Sequence, residues 1–187
     1  MRPALSKLLK DLERFGEEHG GMWNIPPQTG QFLYLLVKLT RARRILEVGT
    51  SNGYSTLWLA EAIRQTKGEK IVTIERDPFK LNLARENFRR ASLSQWIELC
   101  YGEALGLLNH IKGPFDFVFI DAEKEEYLRY LRKILPKTKP GTVILADNAI
   151  QFSHRMKDYL NFVRKHPGLE SVLIPIGSGE EMTLRKK

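Results

Sequence analysis

Cysteine is almost missing: Cys100 is the only one in 187 residues, so the chain can close no internal disulfide and build no cysteine-based zinc cluster. It ends an apolar segment, where a buried structural thiol is expected. Long apolar runs are missing too. No stretch approaches the roughly 20 residues needed to span a bilayer, and Met1 to Lys10 lacks the apolar centre of a signal peptide. A cytoplasmic location without membrane contact is therefore expected. No pair of His or Cys stands at ligand spacing, which directs any metal chemistry to oxygen donors. The G-x-G-x-x-G spacing of a dinucleotide fingerprint and the lysine of a phosphate loop are also absent.

What is present is an ordinary globular composition, 42% hydrophobic and 28% charged. The length suits one sizeable core, and residues 1–187 read as a single domain. The formal net charge of +8 would favour solubility and could favour nucleic acid. The basic residues are scattered, however, through Arg41/Arg43/Arg44, Arg89/Arg90, Arg132/Lys133, Lys137/Lys139 and Arg185/Lys186/Lys187. A solvated surface is the expected use of such a distribution.

The stretch that organises the chain is Arg44 to Ala60, RILEVGTSNGYSTLWLA. Ile45, Leu46 and Val48 form a short apolar run, Gly49 to Gly53 break it, and Tyr54, Leu57, Trp58 and Ala60 resume at helical spacing. That pattern is strand, tight turn, helix. Such a turn leaves the unpaired N–H groups of a helix N-terminus facing a crevice at the carboxyl end of the strand. Glu47 precedes the glycines, and a carboxylate beside the turn suits a ligand carrying positive charge rather than a phosphate.

Upstream, Leu5, Leu8, Leu9, Leu12 and Phe15 predict an amphipathic helix over 3–18, ending near Gly20-Gly21. Trp23-Asn24-Ile25-Pro26-Pro27 reads as extended, and a helix is predicted over 28–40. Downstream, strands are predicted at 44–48, 70–75, 96–101, 115–121 and 141–147, with helices near 54–66, 78–91, 103–111 and 124–135. This alternation implies a parallel α/β sheet with right-handed crossovers. A helix at 153–165 and strands at 169–175 and 180–185 follow. Gly177-Ser178-Gly179 permits a hairpin, so the last strand is expected to be antiparallel.

In a parallel sheet the strand ends share one edge, and here they are Glu47, Glu75, Gly102, Asp121 and Asp147. Glu75 is placed to accept the hydroxyls of a ribose, while Asp77 serves as the N-cap of the next helix. Asp121, Asp147 and Asn148 offer three hard oxygen ligands suited to Mg²⁺. The same residues could instead cap a helix and form a turn. Lys124 stands in a predicted first helical turn, where a cation is disfavoured; beside a divalent ion and a cationic ligand its ammonium would be destabilised, fitting it to accept a proton. A plain surface lysine is the alternative.

Together these residues resemble the S-adenosylmethionine-dependent methyltransferases, specifically the catechol and caffeoyl-CoA O-methyltransferase family, from about Trp23 onward. ILEVGTSNGYS resembles the cofactor turn, IVTIE the ribose-binding strand, and FDFVFIDAEKEEYLRYL with GTVILADN the metal and catalytic segments. The resemblance implies a class I methyltransferase Rossmann-like fold, with a seven-stranded sheet in the order 3-2-1-4-5-7-6. Residues 1–40 would supply N-terminal helices and a cofactor-covering segment, and 41–187 the core.

Carried over by position, Glu47, Gly49, Ser51 and Ser55, with Thr50 and Gly53 in the same turn, would bind the methionine part of S-adenosylmethionine. Glu75 would bind its ribose, and Arg76, Gly102, Glu103 and Ala104 its adenine. Trp23 and Ile25 would cover it. Asp121, Asp147 and Asn148 would hold Mg²⁺ or another divalent cation, with Asp121 also beside the cofactor, and Lys124 would be the general base. Many relatives carry a longer insertion where Ala149 to His154 run directly on, which implies an open acceptor site; His154 could reach it or merely open a helix. The implied activity is O-methylation of a small phenolic or catechol-like acceptor. A tRNA hydroxyuridine O-methyltransferase and a nucleotide-binding domain without transferase activity are the rival readings, and a homodimer through the N-terminal helices is plausible.

Overall fold

The computed structural model describes residues 1–19 and 21–186. Gly20, the expected helix end, and Lys187 of the basic tail lie outside the described residues. The chain begins with α1 (Pro3–His19) and α2 (Pro27–Thr40), then alternates β1 (Arg44–Val48), α3 (Tyr54–Thr66), β2 (Lys70–Glu75), α4 (Pro78–Arg90), β3 (Ile97–Tyr101) and α5 (Ala104–Leu107). It continues through β4 (Phe115–Ile120), α6 (Tyr127–Ile134), β5 (Thr138–Ala146), α7 (Lys157–Lys165), β6 (Leu169–Ile174) and β7 (Glu180–Arg185). The sheet order is β3-β2-β1-β4-β5-β7-β6. Strands β1 to β5 pair in parallel, and β7 runs antiparallel to both β5 and β6.

Because successive side chains in a strand point to opposite faces, each central strand feeds two cores. Ile45, Phe117, Phe119 and Leu145 pack beneath α1 to α4. Leu46, Val48, Val118, Ile120 and Ile144 pack against α5 to α7. Phe115 breaks the alternation and joins the second core, two residues from Phe117, because the β4–β5 register shifts between them. The carboxylate of the intervening Asp116 accepts the N–H groups of Arg43 and Arg44 at 2.8 and 2.9 Å, pinning the entry to β1. On α1, Leu5, Leu8, Leu9 and Leu12 are all buried, as their spacing requires.

Three predicted elements come out differently. The helix near 103–111 shrinks to the single turn of α5, in which Gly106 weakens propagation. The segment 124–135 divides into a 3₁₀ turn at Lys124–Glu126 and α6. The helix expected from 153 starts only at Lys157. Before it, the N–H groups of Ala149, Ile150 and Gln151 are drawn to the carbonyls of Gly179 and Ser178 in the β6–β7 connection. The chain then turns locally, with Ser153 N–H on the Ile150 carbonyl and those of Arg155 and Met156 on the Phe152 carbonyl, before α7 begins.

Candidate active site

All five parallel strands end at one edge, and the edge is held open by glycine. Gly49 follows β1 with φ of +100°, and a Cβ there would lie 1.9 Å from the carbonyl oxygen of Asp121. No side chain fits, so the ends of β1 and β4 approach as bare backbone. Thr50, Ser51 and Ser55 continue the wall of a cleft of about 490 Å³. Gly53 does not line it. This N-cap of α3 has φ of +89° and no room beyond, since a Cβ would meet the Phe88 ring at 2.5 Å. In this structure it serves the turn and the packing against Phe88.

Glu47 lies beneath the turn rather than on the cleft wall. Its carboxylate is wholly buried and is not part of the cleft wall. Strand alternation turns it under the first turn of α3, where it accepts hydrogen bonds from the hydroxyls of Ser55, Thr56 and Thr73. Burial raises its pKa to about 7, and the three hydroxyls pull the other way.

One side of the cleft is fixed by backbone hydrogen bonds to a carboxylate. Glu75 ends β2, and its carboxylate accepts from the backbone N–H groups of Ser51, Arg76 and Asp77 at 2.7, 3.0 and 2.9 Å. Asp77 caps α4 as expected, accepting from Phe79 and Lys80 N–H. Arg76, Gly102, Glu103 and Ala104 line the wall beyond. Ser51 Oγ donates to Met22 O at 2.6 Å, tying the turn to the segment that carries Trp23 and Ile25. Trp23 stands 77% exposed at the rim, whereas Ile25 is buried.

At the other end Asp121, Lys124, Asp147 and Asn148 line the same cleft. Lys124 folds back over Asp121, donating to Oδ1 at 2.8 Å and to the Tyr127 hydroxyl at 3.0 Å. Asp147 is buried, with Oδ1 lacking any donor, and burial followed by the charge of Asp121 raises its pKa. Asn148 has a left-handed φ of 69° and gives its Nδ2 to Gln151, leaving Oδ1 unengaged by that contact. Among the described residues no three His, Cys, Asp or Glu side chains are assembled as a metal site. Two carboxylates, one with an orphaned buried oxygen, and an amide oxygen nevertheless fit a hard divalent cation that keeps some of its waters.

Sequence reasoning missed several neighbours. Glu180, at the start of β7, is fully buried beside Asp147 with neither carboxyl oxygen partnered. Burial and then the charge of Asp147 raise its pKa strongly. The β5–β7 register, with Ala146 opposite Glu181, is the signal that brings it there. Arg155 lines the cleft and pairs with Glu123 at 2.7 Å and with Glu125. His154 does not line the cleft; it faces a second cavity of about 430 Å³ behind Lys124.

This sheet order, with a glycine-turn cleft at the carboxyl ends of the strands, defines a class I methyltransferase fold. Residues 3–186 match the O-methyltransferase family, and the chain belongs to it. A catechol O-methyltransferase of Niastella koreensis is 40% identical over 132 residues, spanning 68% of this chain and 59% of that enzyme, under two thirds of its length. One from Mycobacterium tuberculosis is 35% identical over 162 residues, 80% of this chain and 73% of that enzyme. The structure of a Bacillus cereus O-methyltransferase in complex with SAH superposes with a TM-score of 0.86 at 30% identity, covering 100% of this chain and 92% of that one.

Proposed function

We propose that the protein transfers a methyl group from S-adenosylmethionine to a hydroxyl oxygen of a small catechol-like or phenolic acceptor, with a divalent cation held by Asp121, Asp147 and Asn148. The observation that carries this reading is that one cleft joins an anchored ribose-type acid, Glu75, to the Asp121–Asp147–Asn148 oxygens. The relatives named as catechol O-methyltransferases support the acceptor class.

Glu75, fixed by three backbone N–H groups, would hold the ribose hydroxyls without having to reorganise. Trp23 and Ile25 would cover the bound donor and exclude water. The donor's contribution is an activated sulfonium methyl, and holding acceptor and donor in adjoining sites orients the transfer. A divalent cation bound at these oxygens would supply Lewis-acid stabilisation of the acceptor oxyanion. Lys124, held over Asp121 and against Tyr127, is placed to take the acceptor's proton, a role worth typically about 10²–10⁴-fold. No helix among the described residues is long and apolar enough to cross a membrane, and a cytoplasmic enzyme acting on dissolved acceptors fits that. Leu35 and Leu39, exposed on α2, offer a face for a homodimer.

The test is a methyl-transfer assay over catechols and hydroxycinnamoyl compounds, with and without EDTA, on the wild type and Asp147→Ala. Turnover of at least one acceptor, lost on chelation and in the variant, is expected. Activity indifferent to both would remove the cation from the mechanism.

A further inference from the structure

Scattered along the chain, the basic residues are gathered by the topology. Parallel strands begin at one edge just as they end at the other, and cations collect where they begin. Arg41 and Lys67 lie shortly before β1 and β2, Lys112 shortly before β4, and Lys137 directly before β5. Because β7 runs antiparallel to β5, its last residue Arg185 and the following Lys186 return to the same edge. Backbone contacts make these segments contiguous. The Glu69 and Lys70 N–H groups bond the Arg43 carbonyl, and the Arg44 guanidinium donates to the Lys112 carbonyl. Gly113 leaves no space for a side chain against the Lys137 carbonyl, and Arg185 donates to the carbonyls of Leu135 and Thr138. With neighbouring strands about 4.8 Å apart, the row from β2 through β1, β4 and β5 to β7 is about 19 Å long.

Helix ends account for only part of this charge. Arg64, Arg90 and Lys133 close α3, α4 and α6, where the helix dipole favours a cation. A sheet has little net dipole, so the cations at the strand starts need another reason. Four carboxylates at this edge are matched: Glu69 with Arg43, Glu98 with Lys70, Asp116 with Lys139 and Glu170 with Lys186. Arg41, Lys67, Lys112 and Lys137 are left without a carboxylate partner among the described residues. Like charges held in one row repel each other, and an anion lying along the row would remove that cost.

The form of the row selects the anion. It is long and narrow, which suits a linear polyanion. The exposed aromatic side chains Trp23, Phe79 and Tyr101 stand at the opposite edge, beside the cleft or at the ends of β2 and β3, so the basic row offers phosphate contacts and no platform for stacking single-stranded bases. Of the large exposed apolar side chains, Leu39 and Leu184 stand close to it, one at each end. Two separated leucines are not the continuous apolar face by which a protein lies in a bilayer surface.

We infer that this row, at the edge where the parallel strands begin, is a docking surface for the phosphate backbone of double-helical nucleic acid, bound without sequence preference and with the cleft facing away. The nucleic acid is a mooring and not the methyl acceptor, because the strands separate the row from Asp121 and Asp147 at their far ends.

The test is fluorescence anisotropy with labelled duplexes of about 20 base pairs, one DNA and one RNA, between about 50 and 200 mM salt. Four phosphate contacts give a log–log salt slope of about −3.6 and a loss of about 150-fold in affinity across that range. In Lys112→Glu/Lys137→Glu the slope is expected to fall to about −1.8, with binding at least about tenfold weaker at the lower salt. The control is Lys7→Glu/Lys10→Glu, which makes the same change in net charge at exposed positions of α1 and should bind within about threefold of wild type. Thermal melting establishes that each variant is folded; if the first is not, Lys112→Gln decides, its slope shallower by about one. Whichever duplex binds more tightly identifies the source as DNA or RNA. No binding of either duplex at the lower salt, equal loss in the two double variants, or capture by phosphatidylglycerol vesicles without duplex binding would overturn the inference.

Discussion

Replacing Gly49 by Ala tests whether the two halves of the cleft are joined where β1 and β4 end. A Cβ at this position would sit 1.9 Å from the Asp121 carbonyl oxygen and 2.8 Å from its carbon, against a floor of 3.0 Å for real contacts. The backbone must therefore open by about 1.1 Å, the difference between 3.0 and 1.9. Overpacking of that kind costs roughly 1–3 kcal/mol, and a side chain at positive φ adds about 1–2 kcal/mol. For a domain of this size each kcal/mol lowers the melting temperature by roughly 2–4 °C, so a fall of roughly 4–20 °C is expected. Asp121 moves with the strand end, so binding of S-adenosylhomocysteine and of Mn²⁺ should both weaken. Gly106→Ala is the control: nothing lies within 4 Å and its φ is not positive. A change between zero and about 1 kcal/mol of stabilisation is expected there. The measurement is differential scanning calorimetry with titration of each ligand. Gly49→Ala melting within about 2 °C of wild type, with both affinities intact, would refute the close-approach argument.

Glu61 is buried under Arg2, Arg64 and Gln65, and although burial alone would raise its pKa, those partners bring it down to about 2. Its contribution is therefore present above the unfolded value near 4.5 and lost as pH falls toward 2. Urea unfolding of Glu61→Gln should show a deficit of roughly 3 kcal/mol at pH 7 that vanishes by pH 2; a deficit independent of pH would contradict it. Glu47 has the opposite sign. Its pKa is raised to about 7, so its contribution is full below about 4.5 and lost as pH rises through 7. Glu47→Gln should flatten the stability profile between those values, and an unaltered slope would contradict the assigned burial. Trp23→Ala, at a residue 77% exposed, should change unfolding free energy by less than about 0.5 kcal/mol while weakening S-adenosylhomocysteine binding; a stability loss above about 2 kcal/mol would make Trp23 a core residue instead.

Local pattern carried the fold a long way. The glycine turn and the apolar runs of β4 and β5 are short-range signals, and the strand-end rule then gathers Glu75, Asp121 and Asp147 without further information. The seven-strand order itself came from the family resemblance, since no local feature dictates which strand neighbours which. The burial of Glu47 under α3 was not legible, because period-two alternation says that neighbouring side chains diverge, not which of them meets the cleft and which meets α3. Glu180 was invisible for a related reason: its environment is fixed by a pairing between β5 and β7 that spans a long stretch of chain. The late start of α7 has a related origin: the carbonyls of Gly179 and Ser178 hold Ala149 to Gln151, and local turns carry the chain from there to Lys157.

Glu123 lies between Arg76, at 3.7 Å, and Arg155, at 2.7 Å. The three side chains form an ionic strap across the mouth, and all are substantially solvated, Arg76 at 57% and Glu123 at 38%. Charges so exposed are screened within roughly 8–10 Å at physiological ionic strength and far more at about 1 M salt. The strap is thus set by the electrolyte outside rather than by packing within, and it should loosen as salt rises.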